Sequence, residues 1–383
     1  MHLRNTDLDL LKNRIVENNS KVVVYGAGMI GQVFIPYFIT KYNLFIYIDC
    51  FVDANARKIG TTLSIGKYSY SINSPKYLNQ IDSSYIILIT NSKFYDVLSF
   101  LDKIEILENI DAYIIPIILL GESRKVSYMK PQKLGENQLI PKTIHYCWFG
   151  AKGKSPFLKE CLLSWKKICP DYEFVEWNET NYDVSRHRYT KEAYEKGKYG
   201  LVTDLARLDI LYENGGLYFD TDVSLIKKPD NLLYQAGFVG REKWGNINTG
   251  GGCGFVKGHH MLKQMIDYRD LFGYINEDGS FNNDTNGLYE SNVFIKEGYV
   301  PNNDLQIIND VTVYPSYINH PYDYMSGMLD VNESTISVHH FSGGWMDVID
   351  MDNRTKTQTA FNDIMNRIQE TEKSLCANTS KTK

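Results

Sequence analysis

The most constraining feature of the sequence is a helix that stops at two glycines and leads through a short strand to two acidic residues. An apolar stripe with helical spacing runs along residues 201–212, and it consists of Leu201, Leu205, Leu208 and Tyr212. Gly215 and Gly216 predict the end of that helix. The apolar residues 217–219 then predict a short strand that runs into Asp220 and Asp222. A helix followed at once by a buried strand favours an α/β fold.

Asp220 and Asp222 are two positions apart on a chain that is predicted to be extended. In an extended chain both side chains point to the same side. Their oxygens are ligands that suit Mg²⁺ or Mn²⁺. A cation held there would neutralise the charge on a departing diphosphate. An isolated acid–x–acid pair is more often ordinary acidic surface, so the neighbouring residues have to decide between the two interpretations.

Asp204 and Arg207 lie three positions apart on the helix that precedes the acids, and therefore on one face of it. They are not part of the apolar stripe. One interpretation is a plain ion pair, and the other is a pair that holds sugar hydroxyls beside the cation.

The composition excludes several other classes of protein. The chain has 383 residues, of which 43% are hydrophobic and 23% are charged, as is typical of two globular domains. Residues 138–383 carry 26 basic and 33 acidic side chains, which disfavours nucleic-acid binding. No apolar run has the length of a membrane span. The six cysteines are scattered without a C-x-x-C pair, so we expect a cytoplasmic protein with neither a disulfide framework nor a zinc site.

A second glycine-rich turn lies near the N-terminus. Residues 21–25 predict a buried strand, and Gly26, Gly28 and Gly31 follow it with the G-x-G-x-x-G spacing. Asp53 comes 22 residues after Gly31, where an acid that binds a ribose hydroxyl is expected. The spacing is typical of a site for an NAD-type or another nucleotide. The alternatives are that the glycines serve packing only, or that this region is a scaffold or an oligomer contact.

The remaining elements are predicted from apolar runs and turn residues. In the N-terminal region we expect strands at 44–52, 85–90 and 113–118, and the apolar run 114–120 is interpreted as a buried strand. Further along we expect strands at 142–149 and 172–177 and a helix at 157–168. The glycine-rich stretch 246–254 is equally consistent with a flexible loop and with a sugar contact through Asn248. A C-terminal amphipathic helix is expected to include Phe361, Ile364 and Ile368.

Several segments, taken in order, resemble glycosyltransferase family 32, whose sugar-binding region contains a DXD motif. The segments are residues 140–150, Ser164-Trp165, Asp204–Arg207 and Leu211–Asp222. The resemblance runs from about Ile140 to Trp345 and extends to the large clostridial glucosylating toxins. It implies a GT-A fold, a nucleotide-sugar donor, a divalent metal and retention of the anomeric configuration.

The resemblance also implies roles for individual residues. The catalytic set would be Asp204, Arg207, Asp220 and Asp222. The donor would be bound by Ile144, His145, Trp148, Asn248, Ser342 and Trp345, with Trp148 stacked on the nucleobase. The metal, Mn²⁺ or Mg²⁺, would be held by Asp222, His340 and Ser342, and by Asp220 through water. His339 and His340 are alternatives for the metal ligand, and His340 is preferred here. Glu290 and the two residues after it are candidate acceptor contacts.

The predicted architecture is therefore α/β, with a GT-A type nucleotide-sugar-binding domain preceded by a small Rossmann-like parallel α/β domain. The expected boundaries are 1–120 for the Rossmann-like domain, 121–138 for a linker, 139–350 for the GT-A domain and 351–383 for a C-terminal helix and disordered tail.

The predicted function is that of a retaining, metal-dependent hexosyltransferase in bacterial surface polysaccharide synthesis. It would use a UDP-sugar, with UDP-Gal or UDP-Glc favoured, and an oligosaccharide or lipid-linked glycan acceptor. Peripheral contact with the inner face of the plasma membrane and an oligomeric state are both compatible with the sequence. The alternatives are a bifunctional nucleotide-sugar enzyme with an active NAD-binding N-terminal domain, and a non-catalytic nucleotide-sugar-binding protein.

Overall fold

The computed structural model describes residues 1–343 and 348–381. The chain divides into two compact units. The first comprises Met1–Val126, Met325–Gly327 and Val348–Lys383, and the second comprises Ser127–Tyr324 and Met328–Asp347. Each unit contains helices and a seven-stranded sheet. The α/β class expected from the sequence is confirmed.

Within its described residues, the first unit combines a largely parallel sheet with α-helices. Its strands are β1 (His2–Arg4), β2 (Lys21–Tyr25), β3 (Ile48–Val52), β4 (Thr62–Ile65), β5 (Tyr68–Asn73), β6 (Tyr85–Ile89) and β7 (Asp111–Ile114). Its helices are α1 (Leu8–Glu17), α2 (Met29–Tyr42), α3 (Phe94–Leu101), α4 (Ile115–Glu122) and α11 (Val348–Lys381). The strand order is β1-β7-β6-β2-β3-β5-β4, and every neighbouring pair is parallel except β4 with β5.

Two of the expected strands in this unit are wrong in their extent. Residues 44–47 form a turn in which Tyr47 N–H donates to Leu44 C=O, so the strand begins only at Ile48. The expected strands at 113–118 and 114–120 end at Ile114, the last residue of β7, and residues 115–120 belong to the helix α4. Pro116 lies in the first turn of α4, where its missing N–H costs no hydrogen bond. A short run that is apolar on all sides does not distinguish a buried strand from a buried helix by periodicity.

Helix α11 packs within the first unit, where it contacts β1 and α3. Its apolar residues Phe361, Ile364 and Ile368 are buried there. Arg367 forms a two-pronged ion pair with Asp102, with both N···O distances at 2.6 Å. The apolar face of this amphipathic helix is therefore covered by the protein itself.

The second unit is built on a mixed sheet. Its strands are β8 (Thr143–Cys147), β9 (Glu173–Trp177), β10 (Gly216–Tyr218), β11 (Val223–Leu225), β12 (Gly237–Arg241), β13 (Ile247–Phe255), β14 (Gln306–Ile308), β15 (Val311–Tyr314) and β16 (Ser337–His339). Its helices are α5 (Pro156–Ile168), α6 (Arg188–Glu195), α7 (Tyr199–Asn214), α8 (His260–Arg269), α9 (Asn286–Lys296) and α10 (Ser316–Asn319). The main sheet has the order β14-β15-β12-β13-β10-β8-β9, and β11 pairs separately with β16.

The predicted helix 157–168, the strand 172–177 and the helix under the apolar stripe are confirmed as α5, β9 and α7. The stretch 246–254 is not a flexible loop, because residues 247–255 form β13 in the middle of the sheet. Among the helices in the described part of the chain, none combines the length and the apolar composition that a membrane crossing requires.

Candidate active site

Asp220 and Asp222 lie where the central strand β10 ends. This strand pairs in parallel with β8 and antiparallel with β13. Asp220 N–H donates to Gly250 C=O at 2.8 Å, and the Tyr218 hydroxyl donates to Asp220 Oδ1 at 3.0 Å. The reversal from α7 into β10 needs glycine at position 215, where φ is +69° and a Cβ would lie 2.8 Å from the Lys257 nitrogen.

A third ligand group, His339, completes a cluster with the two acids. His339 Nε2 lies 3.4 Å from Asp222 Oδ1 and 3.9 Å from Asp220 Oδ2. One ligand atom from each of these three residues lies within 4.8 Å of the others. The pairing of β11 with β16, which sets Val223 opposite His339, brings the two chain segments together. Two carboxylate oxygens and one imidazole nitrogen fit a divalent cation such as Mn²⁺ or Mg²⁺.

The histidine in this cluster is not the one that was preferred from the sequence. His340 points away from the acids, and its Nε2 lies 2.9 Å from Ser224 Oγ. Its ring makes an edge contact with Phe157 at 5.1 Å. Neighbouring residues at the end of a strand face opposite sides, so only one of the two histidines can meet the acids. That residue is His339, and the choice of His340 was wrong.

Asp222 and His339 shift each other's pKa. Burial works against ionisation of Asp222, but His339 and the Ser342 N–H, which donates to Asp222 Oδ2 at 2.7 Å, hold the pKa of Asp222 well below its usual range. Burial also opposes the charge of His339, yet the facing Asp222 and Asp220 raise the pKa of His339 above its ordinary value. Asp222 therefore stays ionised, as a metal ligand must.

Asp204 and Arg207 do form an ion pair, and the pair reaches the cluster. Arg207 Nη2 lies 2.6 Å from Asp204 Oδ1 and 3.6 Å from Asp220 Oδ1. The guanidinium is buried and lies 5.3 Å from the centre of the Tyr218 ring. Burial raises the pKa of Asp204 to about 6, although Arg207 opposes the shift. The four residues predicted to be catalytic thus lie together.

Glu290, which the sequence offered as a candidate acceptor contact, is a buried carboxylate behind Arg207. Glu290 on α9 is 2% exposed and accepts a hydrogen bond from Thr249 N–H at 3.1 Å. It also accepts hydrogen bonds from the Thr249 hydroxyl and the Asn286 amide. Burial raises the pKa of Glu290 to about 7. The residue supports β13 from behind, so it is not an acceptor contact on an open surface.

Strand β13 shapes the site through its glycines. A Cβ on Gly250 would lie 2.2 Å from Asp220 Oδ2 and 2.7 Å from Arg207 Nη1, so only glycine lets these groups approach the strand. Asn248 holds this conformation. Its Oδ1 accepts from the N–H of Gly250 at 2.8 Å and its Nδ2 donates to Glu242 Oε1 at 2.7 Å. Both ends of the Asn248 amide are therefore engaged within the protein.

The residues expected to line the nucleobase pocket are divided between the core and the surface. Ile144 and His145 are buried in β8. Trp177 Nε1 donates to His145 Nδ1 at 3.1 Å, so His145 Nε2 carries the proton and donates to Gly215 C=O at 3.0 Å. Burial lowers the pKa of His145, which keeps the ring neutral. His145 therefore fixes the turn before β10, and donor binding through the backbone and apolar groups of Ile144 and His145 stays a prediction.

Trp148 is half-buried just beyond the end of β8, and its Nε1 donates to Lys152 C=O at 2.7 Å. The Lys154 ammonium lies 5.0 Å from the centre of its ring. Ser342 is exposed. Its backbone N–H donates to Asp222, and this hydrogen bond places Ser342 next to the acid cluster. Trp345 lies outside the described residues.

Packing explains Gly31 of the N-terminal glycine turn but not Gly28. A Cβ on Gly31 would lie 2.2 Å from Gly26 C=O, whereas one on Gly28 would meet nothing within 4 Å. Asp53 Oδ2 accepts from Ala27 N–H at 2.7 Å, and its Oδ1 accepts from Asn55 N–H at 2.8 Å. Both carboxylate oxygens of Asp53 thus bind backbone of the same unit. Nucleotide binding at Gly26, Gly28, Gly31 and Asp53 stays a prediction.

The match to a family model lies in the second unit. Residues 157–239 match a family model described as "Glycosyltransferase sugar-binding region containing DXD motif". The chain is 30% identical over 147 residues to inositol phosphoceramide mannosyltransferase 3 of Schizosaccharomyces pombe, a stretch of 36% of this chain and 40% of that protein. It is 24% identical over 191 residues to subversion of eukaryotic traffic protein A of Legionella pneumophila, covering 39% of this chain and 29% of that protein.

Among solved structures, the PaToxG glycosyltransferase is similar to this chain at 16% sequence identity and a TM-score of 0.34. The alignment covers 54% of this chain and 79% of the PaToxG chain. The chain spans less than half the length of both curated relatives. The region that matches the family model, residues 157–239, contains Asp204, Arg207, Asp220 and Asp222.

Proposed function

We propose that the chain is a metal-dependent glycosyltransferase that moves a hexose from a nucleotide-sugar to a hydroxyl group with retention of configuration. The observation that carries the proposal is the cluster of Asp220, Asp222 and His339 beside the Asp204–Arg207 pair. Asp220 and Asp222 lie in the segment that matches the family model of a sugar-binding region with a DXD motif. The assignment to family 32 and to a GT-A fold is part of the same proposal.

The metal site would be formed by Asp222 and His339, with Asp220 as the third ligand or as a partner through water. A divalent cation bound there would supply charge neutralisation for the diphosphate leaving group. Ser342 lies beside it, and its hydroxyl is a further candidate ligand. The donor set of oxygen and imidazole nitrogen does not choose between Mn²⁺ and Mg²⁺ by itself, so both belong in the assay.

Asp204 and Arg207 would bind the transferred sugar. The Asp204 carboxylate accepts hydrogen bonds, and the Arg207 guanidinium donates them. Because Arg207 lies 2.6 Å from Asp204 and 3.6 Å from Asp220, it joins the sugar-binding pair to the acids of the metal site. Arg207 is buried and Asp204 is partly exposed, so Asp204 could reach a sugar while the low dielectric around Arg207 would strengthen its hydrogen bonds.

The transfer itself needs no nucleophile from the protein. The bond between the anomeric carbon and the diphosphate oxygen breaks, and the nucleoside diphosphate takes the electron pair. The acceptor oxygen forms the new bond on the same face of the sugar, and its proton passes to a diphosphate oxygen. Product analysis that resolves the anomers tests this step, because an inverted product would contradict retention.

The proposals for the donor, the acceptor and the location in the cell name classes rather than individual molecules. The resemblance to family 32 supports a UDP-sugar, while the mannosyltransferase relative adds a mannosyl donor to the set that needs testing. A role in surface polysaccharide synthesis at the cytoplasmic face of the membrane rests on the resemblance. The free and buried Cys50, Cys147, Cys161, Cys169 and Cys253 are consistent with a reducing compartment.

The test is release of nucleoside diphosphate from a panel of UDP- and GDP-sugars, with Mn²⁺, with Mg²⁺ and with chelator. We expect slow hydrolysis of one donor that stops when the metal is removed. The Asp222→Asn variant should lose this activity, and Asp267→Asn, which removes an exposed acid paired only on the surface of α8, should keep it. Donor binding without hydrolysis or transfer to any acceptor would favour the non-catalytic alternative.

A further inference from the structure

His187 of the second unit lies between two carboxylates and has no role in the proposal above. It is the residue directly before α6, and its side chain is 8% exposed. Its Nε2 lies 2.7 Å from Asp209 Oδ2 on α7. Its Nδ1 lies 2.7 Å from Oδ1 and 2.9 Å from Oδ2 of Asp270, the residue directly after α8. One imidazole ring therefore joins the start of α6 to α7 and to the end of α8.

The geometry requires a proton on each nitrogen of this ring. A carboxylate accepts hydrogen bonds and does not donate them, whereas a neutral imidazole has a single N–H. Carboxylate contacts at 2.7 Å on both nitrogens are therefore satisfied together only by the imidazolium form. Burial opposes the charge, but the hydrogen bonds and charges of Asp209 and Asp270 raise the pKa of His187 above its ordinary value.

Several charged and hydroxyl groups surround the ring and its two acids. The Tyr182 hydroxyl donates to Asp209 Oδ2 at 2.7 Å, and burial, followed by Asp209, raises the pKa of Tyr182, so the hydroxyl keeps its proton. Arg186 Nε lies 3.8 Å from Asp209 Oδ1, and the same guanidinium is paired with Glu213. The groups from all the elements around the ring are Tyr182, Arg186, Asp209, Glu213, Lys263 and Asp270.

Loss of one proton would break one of the two contacts, and the exposure of the acids decides which one. A neutral ring keeps one N–H and can serve one carboxylate. The side chain of Asp209 is 3% exposed and needs the donor, whereas that of Asp270 is 40% exposed and can be hydrated instead. The proton should therefore leave Nδ1, and the contact that is lost is the one between His187 and the end of α8.

We propose that protonated His187 is a pH-sensitive clamp that fastens the end of α8 to α7, and that the clamp opens at Asp270 when the ring loses one proton. Helix α7 also carries Asp204 and Arg207. The clamp does not depend on the proposed transfer reaction. Because the pKa of His187 is higher in the folded chain than in the unfolded chain, the stabilisation is complete below about pH 6.5. It is lost as the pH rises through the folded value.

The direct test is NMR of the full chain with ¹⁵N-labelled histidine, from about pH 5 to about pH 9. The His187 signals are identified by their loss in His187→Gln, or through the backbone signals if that variant does not fold. We expect two protonated ring nitrogens at low pH, a titration midpoint above 6.5 and loss of the proton on Nδ1. Asp270→Asn should lower the midpoint by about one pH unit or more, because it removes a facing charge. The control Asp267→Asn, which removes an exposed acid of α8, should shift it by less than about 0.3 units.

A His187 ring with a single N–H over the whole pH range, or a midpoint that Asp270→Asn leaves unchanged, would overturn the proposal. Thermal unfolding gives a second measurement. Between the low and the high pH, the unfolding temperature of the wild type should fall by about 2–4 °C more than that of Asp270→Asn, in which one of the two charge pairs is missing. An equal fall in the two chains would contradict a clamp at Asp270.

Discussion

The two units each place an acidic residue just after a strand and near a glycine turn, but they use the acid differently. Asp53 in the first unit gives its two oxygens to the N–H groups of Ala27 and Asn55. In the second unit, Asp220 and Asp222 each direct an oxygen at His339, and the three ligand atoms lie within 4.8 Å. A carboxylate satisfied by its own backbone is a structural element. Two carboxylates held near each other, one buried and one partly exposed, gain stability from a cation.

The largest expected difference in activity is between two variants that each remove the charge of one acid, one acid from each unit. Asp222→Asn should reduce donor hydrolysis about 10³-fold or more, because it takes away a direct metal ligand and leaves the diphosphate charge uncompensated. Asp53→Asn should change this activity less than about twofold, although it weakens the turn at Ala27. Rates at saturating Mn²⁺ measure both. Equal losses in the two variants would break the comparison.

The next effect separates the two neighbouring histidines. His339→Ala should weaken Mn²⁺ binding by about 10- to 100-fold, since His339 faces the acids. His340→Ala removes a contact with Ser224 and Phe157, and should leave the Mn²⁺ affinity within about twofold. Titration calorimetry with Mn²⁺ measures both affinities. If His340→Ala weakens Mn²⁺ binding more than His339→Ala does, the metal ligand would be His340, as the sequence favoured.

A smaller effect concerns Arg207, which is buried between Asp204 and Asp220. Arg207→Lys keeps the charge but loses the planar group that reaches both acids, and we expect donor hydrolysis to fall about 10²-fold. Mn²⁺ affinity should change far less, because Arg207 is not a ligand. A loss of metal binding equal to the loss of hydrolysis would show that Arg207 acts on the cluster rather than on the sugar.

The smallest effect tests the packing role of the N-terminal glycines. Gly31→Ala places a Cβ against Gly26 C=O and should lower the free energy of unfolding by about 1–3 kcal/mol. Gly28→Ala meets open space and should cost no more than a few tenths of a kcal/mol. Thermal unfolding measures both. A Gly28→Ala variant that keeps its stability but loses affinity for added NAD⁺ or UDP would instead support a nucleotide site in the first unit.

The parts of the structure that local sequence rules describe were predictable. The stripe from Leu201 to Tyr212 has helical spacing, Gly215 and Gly216 end the helix, and the acids follow the strand, so α7 and β10 came out correctly. The extended conformation predicted for Asp220 and Asp222 was wrong, because the chain turns there and Val223 N–H donates to Asp220 C=O at 3.0 Å. The proximity of Asp204, Arg207, Asp220 and Asp222 followed from their closeness along the chain.

The remainder depended on contacts between distant segments. The choice between His339 and His340 is made by the pairing of β16 with β11, which is 116 positions away at the Val223–His339 pair. Strand β13 escaped recognition because its glycines have low strand propensity, and the reason for them lies in Asp220, Arg207 and His320, which pack against it. The run 114–120 carries no periodicity that separates a helix from a strand, so only packing decides it.

The central claim is that Asp220, Asp222 and His339 form a divalent metal site that binds the donor diphosphate. Its most direct test is Mn²⁺ binding followed by electron paramagnetic resonance, in the wild type, in Asp222→Asn and in Asp53→Asn, with and without UDP. We predict one Mn²⁺ site in the wild type and in Asp53→Asn, tightened by UDP, and its loss in Asp222→Asn. Unchanged Mn²⁺ binding in Asp222→Asn, or its loss in Asp53→Asn, would contradict the claim.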